Sequence, residues 1–388
     1  MLESARVTDV QRDELLESLD AGFALPSQWY TDQGLFERER LRVLRRGWHF
    51  GSHTGQLAQP GDQVLCQVAG VPVVLVAGDD GEIRGFVNIC RHRAHLVVNE
   101  PGNRKTLQCL YHGWTYNLDG CLRRAPRAET ELEFDPTQFG LIPVQTAVWG
   151  PMVWVNVDLD APGFFDWIGG LPELLAAHGL DLDAQQYAFE GEWEISANWK
   201  VFVDNAIECY HCPTCHPALS QVLEIDPKFH KLSVGGRYWI SHEVPYRQSA
   251  SDVSDYYGMP APTNGARPLY HFHWIFPTTY FQYKMWGSYA AGFDIGTVDV
   301  TDVDRIVFRH LVFLPTDLDA DGFALRKARF DTNTTIPEDV AICSRVQKAH
   351  AAGATPPGRL LPGSEWLLQH FQRVIVEMAT EPEPQSTA

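Results

Sequence analysis

The chain has 388 residues, 45% of them hydrophobic, and a formal net charge of -18. Domains usually hold ~100–200 residues, so this length implies two cores, and so large a negative charge excludes a general attraction to nucleic acid or anionic membrane. Met1 to Leu16 alternates charged and apolar residues without a secretory h-region, and the best apolar run, Val71–Ala77, is far short of the ~20 residues of a membrane span, so a cytoplasmic protein is expected.

In chain order, Asp9–Ala21 and Asp32–Arg45 place apolar residues at helical spacing among many charges, which predicts two amphipathic helices leading into the first domain. From Gly61 short β-rich runs follow, Gln63–Val68, Val71–Ala77 and Ile83–Asn88, separated by turns such as Gly78-Asp79-Asp80-Gly81, and the β-character continues through Thr106–Leu118 and Val148–Val157. Asp160–His178 is Pro- and Gly-punctuated helical sequence. A helix is predicted through Val201–Tyr210, then strands at Tyr238–Val244, Tyr270–Phe276 and Arg305–Leu314, a polar connector at Thr316–Gly322, and helices over Pro337–Ala352 and Glu365–Met378. Segregated strands and helices argue an α+β chain: a lead-in over 1–45, an all-β domain over 46–160, a second domain over 161–380, and a disordered tail over 381–388.

Eight cysteines are too sparse for a disulfide scaffold and are better read as metal ligands or core residues. Cys66, Cys121 and Cys343 stand alone and read as small buried hydrophobes. Cys90-Arg-His92 and Cys109-Leu-Tyr-His112 each offer one thiolate and one imidazole from a tight turn. Structural zinc is one use of four such ligands, but zinc sites usually pair cysteines as C-x2-4-C. C-x-H with C-x2-H is what a [2Fe–2S] cluster requires when two cysteines hold one iron and two histidines the other. Gly113 would allow close backbone approach, and Trp114 and Tyr116 would shield the cluster.

A second constellation follows Asn198-Trp-Lys200 and Asp204-Asn205: Glu208-Cys-Tyr-His211-Cys-Pro-Thr-Cys-His216. Non-haem Fe(II) oxygenases hold iron with two histidines and one carboxylate and leave positions open for O2 and substrate. Glu208 and His211 would lie one turn apart on a helix, with His216 about 140° further round. Pro213 should end or deform that helix and let His216 swing back to the same metal. Cys209, Cys212 and Cys215 also invite a zinc or iron–sulfur reading, though thiolates would compete for the open positions. His95, His178, His230, His242, His271, His273 and His310 lack ligand-like spacing and read as structural, with a pocket-facing position the alternative for His271 and His273, which alternate on a strand.

Asn88-Ile-Cys90-Arg-His92-Arg-Ala with Cys109-Leu-Tyr-His112-Gly-Trp-Thr-Tyr116 resembles the cluster loops of Rieske non-haem iron oxygenase large subunits, and the resemblance runs from roughly Trp29 to Val376. It implies a helix-grip-like antiparallel sheet in the second domain, with His211 and His216 as ligands of a mononuclear Fe(II). Pro337-Glu-Asp339 resembles the start of the helix that carries the third ligand, assigned to Asp339 over Glu338, with Pro337 at the first helical position. It further implies a head-to-tail homotrimer in which Glu208 bridges to the neighbouring subunit's cluster, with Asn205 as a further catalytic candidate. A reductase, with or without a ferredoxin, would deliver electrons from NAD(P)H. Glu-Cys-Tyr-His resembles the carnitine, choline and stachydrine oxygenases, which favours monooxygenation or oxidative N-demethylation of a small organic substrate. The aromatic run Tyr270-His-Phe-His-Trp-Ile-Phe with Tyr280, Phe281, Tyr283 and Trp286 suits a quaternary ammonium or a flat apolar molecule, or else forms core. Arene ring dihydroxylation is the alternative chemistry, and a non-catalytic Rieske electron-transfer protein the alternative class.

Overall fold

A computed structural model describes residues 9–128, 131, 133–247, 250–258, 267–286 and 289–381. Beyond Glu381, the tail expected to be disordered lies outside the described residues. The chain divides into two compact units, residues 45–167 with 185–187, and the remainder. Among the described residues no helix is long and apolar enough to cross a membrane.

The first unit is all-β. Its seven-stranded sheet runs in the order His49–His53, Met152–Asn156, Pro143–Trp149, Ile83–Val87, Val71–Ala77, Asp62–Val68 and Gly102–Asn103. Alternation along Val71–Ala77 feeds two cores. Val73 and Leu75 pack with Val153 and Val155 on one face, while Val74 and Val76 pack with Phe86 and the ligand-bearing loops on the other. A three-stranded sheet of Leu107–Gln108, Thr115–Tyr116 and Leu122–Arg124 carries the second loop. Thr106–Leu118, expected as one β-run, is therefore broken between Gln108 and Thr115, where the backbone turns back on itself. Gly113 makes that turn with φ 72°, and its N–H bonds the Cys109 carbonyl at 3.0 Å.

The second unit is built on a seven-stranded sheet in the order Gln185–Ile195, Arg305–Pro315, Tyr289–Asp302, Thr279–Trp286, Pro268–Ile275, Trp239–Pro245 and Lys231–Val234, with antiparallel pairing from Arg305–Pro315 onward. The long strand Tyr289–Asp302 and the helices Ala250–Tyr257 and Ala320–Asp331 lay outside the sequence expectation, the last beginning within the polar connector expected over Thr316–Gly322. Its N-cap explains it: the Asp319 carboxylate accepts from the Gly322 N–H at 2.8 Å.

The N-terminal helices Asp9–Asp20, Gln28–Thr31 and Gln33–Arg42, expected to lead into the first domain, group with the second unit. The reason is a buried polar network: Lys200 Nζ donates to Glu39 at 2.6 Å and Trp199 Nε1 to the same carboxylate oxygen at 3.0 Å. Tyr30 OH and Gln372 Nε2 donate to Asp204 at 2.7 and 3.0 Å.

Candidate metal centres

In the first unit Cys90 and Cys109 are buried at 3% and 1% exposure, while His92 and His112 sit at an exposed tip. The loops are held by backbone bonds, Cys90 N–H to the His95 carbonyl at 2.8 Å and Cys109 N–H to the Trp114 carbonyl at 2.9 Å. Tyr116 OH accepts from the Arg91 N–H at 3.1 Å, so its own proton points to the Cys90 sulfur 3.3 Å away. The two imidazoles turn their Nδ1 atoms to one another at 3.1 Å, and Trp114 stacks on His92 with ring centres 5.0 Å apart. Partial desolvation, then the neighbouring His92 and Arg93, push the His112 imidazole down, which favours the neutral form that a metal ligand needs. The donor set, two buried thiols and two exposed imidazoles that turn their Nδ1 atoms to one another, fits a two-iron cluster held by cysteines on one iron and histidines on the other.

In the second unit the helix Trp199–Ala206 begins at Asn198, whose side chain caps the Lys200 N–H at 3.0 Å, and stops before Glu208. The expected continuous helix through Tyr210 is absent. Glu208 bends over its own turn, its Oε2 accepting from the N–H groups of Tyr210 and His211. Pro213 then opens a new short helix, Cys212–Cys215, instead of ending an old one. Its missing N–H costs nothing in a first turn, and the reversal still carries His216 back toward His211. Cys209 and Cys212 form a disulfide, which removes both from the thiolate-ligand reading.

The third residue comes from the helix Thr335–Ala352, which starts two residues before Pro337, the position expected to open it. His211 Nε2 and His216 Nε2 lie 3.0 Å apart, and Asp339 Oδ1 is 3.0 Å from His216 Nε2 and 3.6 Å from His211 Nε2. Ligands at right angles around an ion about 2.1 Å away are about 3.0 Å apart, so the triangle matches three adjacent coordination positions. Asp339 Oδ1 is buried and accepts no well-formed hydrogen bond from either ring, as a ligand atom turned to a shared cation would. Burial alone pushes the His211 imidazole down, but Asp339 and Glu208 outweigh it and hold it up to about 10. Burial raises the Asp339 carboxyl, and the two histidines outweigh that and lower it. The cluster thus demands positive charge at its centre, and the residues fit a divalent iron.

Each histidine spends its other nitrogen on a carboxylate. His211 Nδ1 donates to Glu208 at 2.5 Å and His216 Nδ1 to Glu338 at 2.7 Å, which fixes both tautomers with Nε2 free to ligate. Glu338, set aside in the sequence as the less suitable third ligand, takes this supporting position. Asn205 Nδ2 lies 3.4 Å from His211 Nε2.

The triad lies at the wall of a cavity of 180 Å³ lined by Tyr270, Phe272, Tyr280, Phe308 and Trp193 among others. Strand alternation sorts the aromatic run: Tyr270, Phe272 and Tyr280 line the cavity, whereas His271, His273 and Tyr283 do not. His242 and His310, expected to be structural, line it as well. Gly296 is required here, since a Cβ would stand 2.1 Å from the Tyr280 ring, whose hydroxyl bonds His310 Nδ1 at 3.0 Å. Cys343 is buried as expected, Cys66 only partly, and Cys121 is exposed instead of buried.

The Rieske [2Fe-2S] domain model matches residues 47–145, and the ring hydroxylating alpha subunit (catalytic domain) model matches residues 182–381. The chain is 28% identical over 356 residues to the chloroplastic choline monooxygenase of Amaranthus tricolor, covering 90% of this chain and 76% of that one. It is 27% identical over 369 residues to the carnitine monooxygenase oxygenase subunit of Acinetobacter baumannii, covering 92% and 95%. A solved quaternary ammonium Rieske monooxygenase superposes with a TM-score of 0.81 at 24% identity, over 94% of this chain and 98% of that one.

Proposed function

The chain belongs to the ring hydroxylating alpha subunit family and carries a Rieske [2Fe-2S] domain, and from that premise we propose that it monooxygenates or oxidatively N-demethylates a small organic substrate. It is an oxidoreductase of the Rieske oxygenase class, with a [2Fe–2S] cluster and a mononuclear iron as cofactors. We assign Cys90, His92, Cys109 and His112 to the cluster and His211, His216 and Asp339 to the iron. The observation that carries the reading is the convergence of those three ligand atoms at the wall of an aromatic cavity.

When bound, the cluster supplies electrons and the mononuclear iron activates O2. The chain's own residues prepare the place. Glu208 and Glu338 hold the two imidazole Nδ1 protons, so both Nε2 lone pairs stay directed at one point. His211, His216 and Asp339 would hold the iron and leave positions on it for O2 and substrate. Tyr270, Phe272 and Phe308 line the cavity beside it and suit a flat or cationic group. The likeness to choline and carnitine monooxygenases supports a quaternary ammonium substrate over an arene.

The assembly we propose is a homotrimer in which Glu208 faces the neighbouring subunit. The solved relative described in terms of inter-subunit electron transfer supports it. A reductase, with or without a ferredoxin, would draw on NAD(P)H, and a cytoplasmic setting suits that nucleotide. Coupled NAD(P)H and O2 consumption across a panel of quaternary amines and arenes, with a reductase supplied, tests the reading. Substrate-dependent uptake by the natural chain and its loss in His211→Ala is the expected result, and uptake that persists in His211→Ala would contradict it.

A further inference from the structure

The cavity holds a charge pattern that the metal triad does not require. Asp294 is buried at 2% exposure and takes Lys284 Nζ at 2.7 Å and Gln282 Nε2 at 3.0 Å on one oxygen, and Arg326 Nη2 at 2.8 Å on the other. Lys284 and Arg326 are themselves 2% and 6% exposed, and all four residues line the cavity. Strand register builds the group: Gln282 pairs with Asp294, Lys284 with Tyr270, and the helix Ala320–Asp331 adds Arg326.

One carboxylate faces two cations. The other acids lining the cavity, Glu208 and Asp339, are engaged with His211 and His216. His310 is pushed down by burial, against the pull of Asp294, and so stays neutral. The Tyr257 ring lies 4.6 Å from Lys284 Nζ but carries no charge to balance it. Burial pushes the Lys284 ammonium down, Asp294 opposes this, and Arg326 pushes it further down. A surplus positive charge held away from water is costly unless an anion meets it. Asp294 engages only Nη2 of Arg326, which leaves further N–H donors of a planar fork suited to a second carboxylate.

We infer that the substrate is a small carboxylic acid whose carboxylate is received by Arg326 and Lys284, with the aromatic walls covering the rest of the molecule. The inference rests on the oxygenase reading of the same cavity and narrows it: a cation lacking an acid group does not meet the surplus charge. Arg326 and Lys284 are specificity-determining residues, held apart from each other by Asp294.

Calorimetric binding to the full-length iron-loaded and metal-free chain tests it with matched probes: benzoate against methyl benzoate, γ-butyrobetaine against its methyl ester, and choline. At least one acid should bind about ten- to a hundredfold more tightly than its ester, as charge-assisted hydrogen bonds provide. Arg326→Gln should erase that preference while ester binding and iron content stay as they were, and Arg326→Lys, which keeps the charge and loses the fork, should retain part of it. Lys284→Met provides the same reading should Arg326→Gln fail to fold. Esters or choline binding as tightly as the acids, no acid binding at all, or a preference that survives Arg326→Gln and Lys284→Met would overturn the proposal. Acid preference is read in the metal-free chain, so its failure is separable from a failure of oxygen chemistry, which shows in the iron content and in O2 uptake.

Discussion

Glu338 and Glu208 show what a supporting carboxylate does at this centre. Each takes the outward nitrogen of one ligand histidine, so replacing it should loosen the metal without removing a ligand. Glu338→Gln is expected to lower iron affinity about 10–100-fold while the far-ultraviolet circular dichroism stays unchanged; competition with a chelator measures it, and unaltered affinity would count against the role. Asp204 presents a different titration. Burial, opposed by bonds from Tyr30 and Gln372, lifts its carboxyl from an ordinary 3.8 to about 7. A raised folded-state value means its contribution is fully present below about pH 4, where folded and unfolded chains both hold the proton, and is lost as pH climbs through about 7. Urea unfolding between pH 4 and pH 8 should therefore show a decline on the order of 3–4 kcal/mol from this residue that is flattened in Asp204→Asn, and an identical pH profile in the variant would refute the assignment. Asp339 was picked out by the resemblance of Pro337-Glu-Asp339 to the start of a ligand-bearing helix, whereas the role of Glu338 was not legible in the sequence. The pairing of Glu338 with His216 spans 122 residues and depends on how two helices meet, which spacing along the chain does not encode.

At the scale of elements, the helix Trp199–Ala206 is fixed by its buried Lys200, whose ammonium and partner Glu39 are both fully enclosed. Lys200→Met would strand the Glu39 carboxylate in the interior, so a loss of about 3–5 kcal/mol in chemical denaturation is expected, and most of it should return in the double variant with Glu39→Gln. A loss under about 1 kcal/mol would mean the pair is not structural. This contact also explains why the N-terminal helices group with the second unit, a grouping that amphipathic periodicity in Gln33–Arg42 could not reveal. The same limit applies between Glu208 and His216. Pro213 was expected to end the helix, but the helix had already ended at Ala206, Glu208 satisfies the local N–H groups with its own side chain, and Pro213 lies in a new helix. In contrast, the strands Asp62–Val68, Val71–Ala77 and Ile83–Val87 were legible nearly to the residue, since Gly and Asp turns bracket short β-rich runs.

For the whole molecule, the α+β organisation followed from where β-rich and helical sequence segregate, and the residues proposed as ligands were picked out by close Cys/His and His/His spacings together with the family resemblance. The long strand Tyr289–Asp302 and the charge group around Asp294 did not, because the group forms only when Thr279–Trp286 and Tyr289–Asp302 are laid in register and the helix Ala320–Asp331 brings Arg326 to them. The central claim is that one chain carries two chemically different iron centres. Iron and acid-labile sulfide analysis, read beside the electron resonance of the reduced protein, tests it most directly. The natural chain should hold about three irons and two sulfides, and His211→Ala/His216→Ala about two irons with the mixed Cys/His cluster signal unchanged. A natural chain with only two irons, or a double variant that keeps the third, would contradict the account.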